Sequence, residues 1–236
     1  MKGKKFLAVI APLMVAAVCG FSACGGGDDN SEYKVTEEEW IAAFSEDNFK
    51  NIRLDSVQED TIYFENSTEG GGALVFTIKK EESIIIADGI QYTKVKRTAV
   101  DTFGENSEVV REYYYTVIDG EEELYEYDEN TLAWSLTTIE DTTDFVRFDD
   151  MFFSYSNDLK RKYGESTYKE DGYLWTITNE FDGAVAVTNG TIRFKENRIS
   201  EINGESETTQ DGRVSGNGSY TYKFTYGGQS LTLPEN

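Results

Sequence analysis

Carboxylates and tyrosines are the reactive side chains this chain holds in quantity. It has 44 Asp and Glu and 15 Tyr, against 2 Cys and no His. Two carboxylates can run glycoside hydrolysis, with their separation setting the stereochemical outcome. Nothing in the sequence selects one pair from so many. Converging carboxylates can also hold Ca²⁺, which takes about six to eight oxygens. Asp119-Gly120-Glu121-Glu122-Glu123 and Asp128-Glu129-Asn130 lack the ligand spacing of a calcium loop and read as solvated hairpin tips. Without His, no Ser-His-Asp or Cys-His unit can form, nor any zinc site built on imidazole. Gly70-Gly71-Gly72 lacks the Lys-Ser/Thr that completes a phosphate-binding loop, and reads as a hairpin loop. No metal, no cofactor and no enzymatic activity are therefore expected.

Binding is the chemistry that remains. Tyr113, Tyr115, Tyr125, Tyr127, Trp134, Tyr173, Trp175, Tyr220, Tyr222, Phe224 and Tyr226 sit on alternating positions and are expected to share one sheet face. A concave aromatic face with hydroxyl tips suits an amphipathic ligand or a sugar ring. The candidate ligand-binding set is Tyr113, Tyr115, Trp134, Phe148, Phe152, Trp175, Tyr222 and Phe224. The competing reading makes these rings core residues and cross-strand pairs, since aromatics favour strands in any case.

The elements that must position these rings are mostly strands. Two-residue alternation recurs at Ile52 and Leu54, Ile62 and Phe64, Leu74 to Ile78, Ile84 and Ile86, and Tyr113 to Val117. It returns at Leu132 to Leu136, Tyr173 to Ile177, Ile192 and Phe194, and Tyr220 to Tyr226. Turn signals punctuate the series: Asp88-Gly89, Asp119-Gly120, Glu196-Asn197, Asn203-Gly204 and Gly227-Gly228. This pattern predicts an antiparallel meander. Two helices interrupt it. Thr36 and Glu39 form a capping box with Val35 and Trp40 as its staple, so a helix over about 36–45 presents Trp40, Ile41 and Phe44 to the sheet. Phe145, Phe148, Phe152, Tyr155 and Leu159 recur at helical steps between Thr143, a candidate cap, and the basic Lys160-Arg161-Lys162. That second helix, about 143–162, either covers a sheet face or gates a cavity.

The start of the chain carries an address. Lys2, Lys4 and Lys5 precede an apolar run from Phe6 to Val18, then Phe21-Ser22-Ala23-Cys24. The run is shorter than the roughly 20 residues a spanning helix needs. This segment resembles the precursor region of bacterial lipoproteins, with Phe21 where that family prefers Leu. Cys19 follows Val18, where a small residue is needed. The resemblance implies cleavage before Cys24, a diacylglycerol thioether on Cys24, and export to a bacterial membrane. Two acyl chains anchor stably where one binds only marginally. Residues 1–23 are then a signal peptide, 24–32 a flexible anchor linker, and 33–236 a single β-rich domain. Loss of the three signal-peptide lysines takes the net charge from −22 to −25. Nucleic acid is a poor partner for such a surface.

The element order of an N-terminal helix, a long meander, one mid-chain helix and a closing hairpin resembles the half-barrel of LolA/LolB-like lipoproteins. Thr191-Ile192-Arg193-Phe194-Lys195-Glu196-Asn197-Arg198-Ile199 is similar to their later strands, and Tyr222 to Pro234 to the way they end. The resemblance implies a mainly β fold: a large antiparallel sheet curved as a half-barrel, with the two helices covering one face. It also implies a hydrophobic or amphipathic ligand, such as a lipid, bound without catalysis. The alternative is an envelope structural or interaction module whose sheet face contacts another protein or a glycan.

Overall fold

A computed structural model describes residues 34–64, 74–139, 142, 144–181 and 183–234. The expected signal peptide, Cys24 and its linker lie outside these residues, as do Gly70–Gly72 and Thr143.

The fold is mainly β. Helix α1 (Glu37–Ala43) precedes six strands: β1 (Ile52–Phe64), β2 (Leu74–Ala87), β3 (Ile90–Asp101), β4 (Asn106–Ile118), β5 (Glu121–Asp128) and β6 (Ala133–Thr137). Helix α2 (Phe148–Lys160) follows, then β7 (Thr167–Lys169), β8 (Gly172–Phe181), β9 (Ala184–Lys195), β10 (Arg198–Gln210) and β11 (Arg213–Tyr226). All eleven strands form one antiparallel sheet in the order β6-β5-β4-β3-β2-β1-β11-β10-β9-β8-β7. Two meanders thus meet where β1 pairs β11, and the sheet curves into a half-barrel without closing. Tight turns at Asp88-Gly89, Asp119-Gly120, Glu196-Asn197 and Asp211-Gly212 hold both central residues at positive φ. That is the mirror-image turn whose twist matches the flanking strands.

The topology dictates where α2 lies. The chain leaves the sheet at one edge, β6, and re-enters at the other, β7, so the connection must cross the sheet. Thirteen helical residues cover about 20 Å of that crossing. The register separates the two faces. Ile52, Leu54, Ile84, Ile192, Ile202, Tyr222 and Phe224 project from the inner face and bury there with α1 and α2 above them.

Both helices are pinned over this face by side chains. Thr36 and Glu39 form the expected capping box, and Val35 and Trp40 are buried. The Trp40 Nε1–H donates to the Leu159 carbonyl at 3.1 Å, tying α1 to the end of α2. Ile41 is 49% exposed, so it does not join Trp40 and Phe44 on the packed face. One position past Trp40, it turns about 100° away from the sheet.

Helix α2 begins later than the heptad-like spacing predicts. Residues 144–147 are not helical because tertiary contacts hold them off that path. Asp144 pairs with Arg97 at 3.2 Å, and Phe145 inserts between Tyr113 and Tyr115. Gln91 on β3 then supplies the missing cap. Its amide donates to the Val146 carbonyl at 3.1 Å, and its Oε1 accepts the Phe148 N–H at 2.9 Å. An orphan helix-start N–H is thus satisfied from a residue distant in sequence.

Two further expectations are corrected. Asn203-Gly204 is not a turn; both residues lie inside β10, paired with β9 and β11. Leu132 sits in the β5–β6 turn at positive φ and is 74% exposed, rather than heading a strand.

Candidate functional site

The structure splits the predicted aromatic set into three groups. Phe148, Phe152 and Phe224 come together with Phe49, at ring separations of 5.1 Å for Phe148–Phe152, 5.4 Å for Phe152–Phe224 and 4.7 Å for Phe49–Phe152. Trp175 and Tyr222 belong to the same buried cluster. These five rings are packed against protein and make a filled core under the helices. Tyr113 and Tyr115 lie in a second, smaller cluster with Leu124, Phe145 and Ile139. Trp134 joins neither group. The pairings Tyr127↔Trp134 and Tyr114↔Tyr125 place Trp134, Tyr125 and Tyr127 on the outer face, where Trp134 packs against Tyr114 and Tyr127. The single-face expectation fails because strand parity resets at each turn. Equal spacing within strands does not carry across them.

Space occurs beside the second cluster. The approach to α2 stands away from the β5–β6 edge and leaves a half-open pocket of about 570 Å³. Leu124, Ile139, Phe145 and Val146 form its apolar wall, and Thr137 and Thr138 its polar side. Its rim is ionic. Arg147 pairs with Glu122 at 2.6 Å and with Asp150 at 2.6 Å, and the Tyr115 hydroxyl donates to Glu122 at 3.0 Å. Asp150, then Tyr115, hold the Arg147 guanidinium firmly cationic. This volume falls in the usual range for small-ligand sites, about 300–1,000 Å³. An apolar wall beneath a charged rim can hold an amphiphile with its head at the rim.

Deeper on the inner face runs a polar band. Asp60, Gln58, Lys80 and Glu82 project there from β1 and β2, and Ser206 and Thr208 from β10. Lys80 pairs with Glu82 at 3.0 Å. The Gln58 amide donates to Asp60 Oδ2 at 2.8 Å, while Asp60 Oδ1 and Thr208 Oγ1 are buried without a hydrogen-bond partner. Burial pushes the Asp60 carboxyl up to about 7, against the Gln58 hydrogen bond, and the Glu59 charge adds to the rise. Burial also raises the Tyr222 hydroxyl, helped by the neighbouring Tyr220, Glu82 and Asp60. Among the described residues, no three Asp, Glu, Cys or His side chains converge as metal ligands.

Sequence reasoning missed Leu124, Ile139, Arg147 and Gln91, none of which stands in a pattern. Asp60 carried a faint signal. It continues the in-facing parity of Ile52 and Leu54 in a strand whose next inward residue is Ile62.

No family model and no curated protein matches this chain. Among solved structures it is similar to a provisionally assigned oleoyl thioesterase from Lactobacillus plantarum, at 11% identity over 84% of each chain and a TM-score of 0.16. A likeness of that size carries no weight for function. No helix among the described residues is long and apolar enough to cross a membrane.

Proposed function

We propose that this chain is a lipid-anchored protein of the bacterial cell envelope that binds an amphipathic or hydrophobic ligand without catalysis. The observation that carries this reading is the pocket under the approach to α2. Its Leu124, Ile139, Phe145 and Val146 wall meets the Glu122–Arg147–Asp150 rim. Tyr113 and Tyr115, two of the residues marked from the sequence, support that wall. The anchor would be the acylated Cys24, and the half-barrel with its covering helices is the arrangement the LolA/LolB-like resemblance implies.

The test is native mass spectrometry of the protein extracted from its own membranes, alongside a Val146→Trp variant. Val146 is 39% exposed, so the indole fills the pocket mouth without forcing the core apart. A co-purifying amphiphile present in the parent and lost in the variant is the expected result. An amphiphile retained equally by both, or absent from the parent, rejects the assignment.

A further inference from the structure

A larger groove, of about 1200 Å³, lies on the opposite, outer face of the sheet, over β8–β11 and β1. Beneath its floor, on the inner face, lies a close-packed row. There Trp175, Gly190, Gly204 and Tyr220 stand side by side in one cross-strand row. A Cβ at Gly190 would meet the Trp175 ring at 2.2 Å and the Asn203 carbonyl oxygen at 2.4 Å; one at Gly204 would meet the Tyr220 ring at 2.5 Å. The two glycines therefore let β9 and β10 settle onto the two rings. No side chain separates these two strands from the rings at this row.

The floor of the groove is a regular grid. One row across five strands reads Thr176, Asn189, Glu205, Ser219 and Glu59. The next reads Leu174, Thr191, Asn203, Thr221 and Val57. Arg193, Glu201 and Lys223 begin a third. Each five-strand row spans about 19 Å at the usual strand spacing. That length accommodates several pyranose rings in line.

The lining chemistry narrows the occupant. Only Leu174 and Val57 are exposed large apolar side chains there, too few for a lipid chain. Glu59, Glu165, Glu201 and Glu205 outnumber Arg193 and Lys223, so an anionic ligand is repelled. Arg193 is ion-paired with Glu201, which also accepts from the Asn203 amide at 2.6 Å. A basic peptide would meet Arg193 and Lys223 in the third row and find Glu201 taken. Neutral hydroxyl and amide groups dominate what is left: Thr176, Asn189, Thr191, Asn203, Ser219 and Thr221. Glu205 stands in the same row as Thr176, Asn189 and Ser219, half-buried, with its Oε1 turned out of solvent and the rest of its carboxylate lining the groove. We propose that this outer groove binds a neutral glycan strand, its hydroxyls donating to Glu205 and exchanging hydrogen bonds with the Asn and Thr rows.

The experiment is binding of the purified full-length chain to an array of neutral oligosaccharides, with decalysine peptide as competitor class. Glu205→Gln and Thr221→Val keep side-chain shape and leave the fold intact, which circular dichroism verifies. Each is expected to weaken the best-bound oligosaccharide about tenfold, the effect of about 1.4 kcal/mol. Val146→Trp, on the other side of the molecule, is expected to leave glycan binding unchanged. Failure to bind any neutral oligosaccharide, glycan binding indifferent to both groove variants, or decalysine bound in its place and weakened by Glu205→Gln, each overturns the proposal.

Discussion

At pH 8.5, replacing Asp60 with Asn is expected to make this protein more stable. Asp60 lies mid-strand on the inner face with one carboxylate oxygen buried and unpartnered. Its carboxyl is raised from 3.8 to about 7, chiefly by burial. The unfolded chain releases this proton near 3.8, whereas the folded chain keeps it until about 7. Stability therefore falls as pH rises between those values, and the penalty is complete above the folded value. The gap is equivalent to about 4 kcal/mol. Asp60 is only partly buried, so solvent screening reduces the contribution to about 1–3 kcal/mol. Asn keeps the acceptor that Gln58 uses and removes the charge. Urea denaturation of parent and variant at pH 8.5 and 5.5 reads the effect directly. The lower pH stays above the isoelectric point of 4.3, where solubility is poorest. About half of the gain should remain at pH 5.5, because the unfolded carboxyl is already ionised there while the folded one is not. An Asn variant less stable than the parent at pH 8.5, or a gain of the same size at both pH values, refutes the argument.

Three further outcomes follow from other parts of the molecule. Gln91→Leu strips the tertiary cap from Val146 and Phe148; a loss of about 1–3 kcal/mol is expected, with faster amide exchange confined to the first turn of α2. In the parent that helix is held by buried Phe148, Phe152 and Leu159, so its exchange should match the neighbouring strands, and rapid exchange there would instead reveal a gate. Gly190→Ala drives a methyl into the Trp175 ring and the Asn203 carbonyl, and thermal unfolding should report a loss of about 1–3 kcal/mol. Cys24→Ala is expected to move the protein out of the membrane fraction or block its processing, while Cys19→Ala leaves fractionation unchanged. Equal membrane retention of both Cys variants would remove the anchor.

What the sequence determined by itself was local. The Thr36–Glu39 capping box needs only neighbouring residues, and it forms as read. Strand character at Tyr113–Val117, Tyr173–Ile177 and Tyr220–Tyr226 follows from alternation within each strand. Residue counting likewise shows that these 236 residues hold no histidine. β3 was harder to see, because its inward positions carry Gln91, Thr93 and Arg97, so burial there does not follow hydrophobicity. The second half of β10 places Gly204, Ser206 and Thr208 inward for the same reason, and Asn203-Gly204 imitates a turn. Only the tertiary structure decided which aromatics share a face. Register is set by pairing between strands, and it sends Trp134 outward while Tyr113 and Tyr115 point in. It also decided where the candidate sites lie. The pocket is walled by residues 145–147, which contacts with Gln91 and Arg97 on β3 and Glu122 on β5 hold off a helical path, and the outer groove lies across five strands that only pairing brings side by side. Both depend on contacts between residues far apart in the chain, and such contacts leave no periodic trace in it.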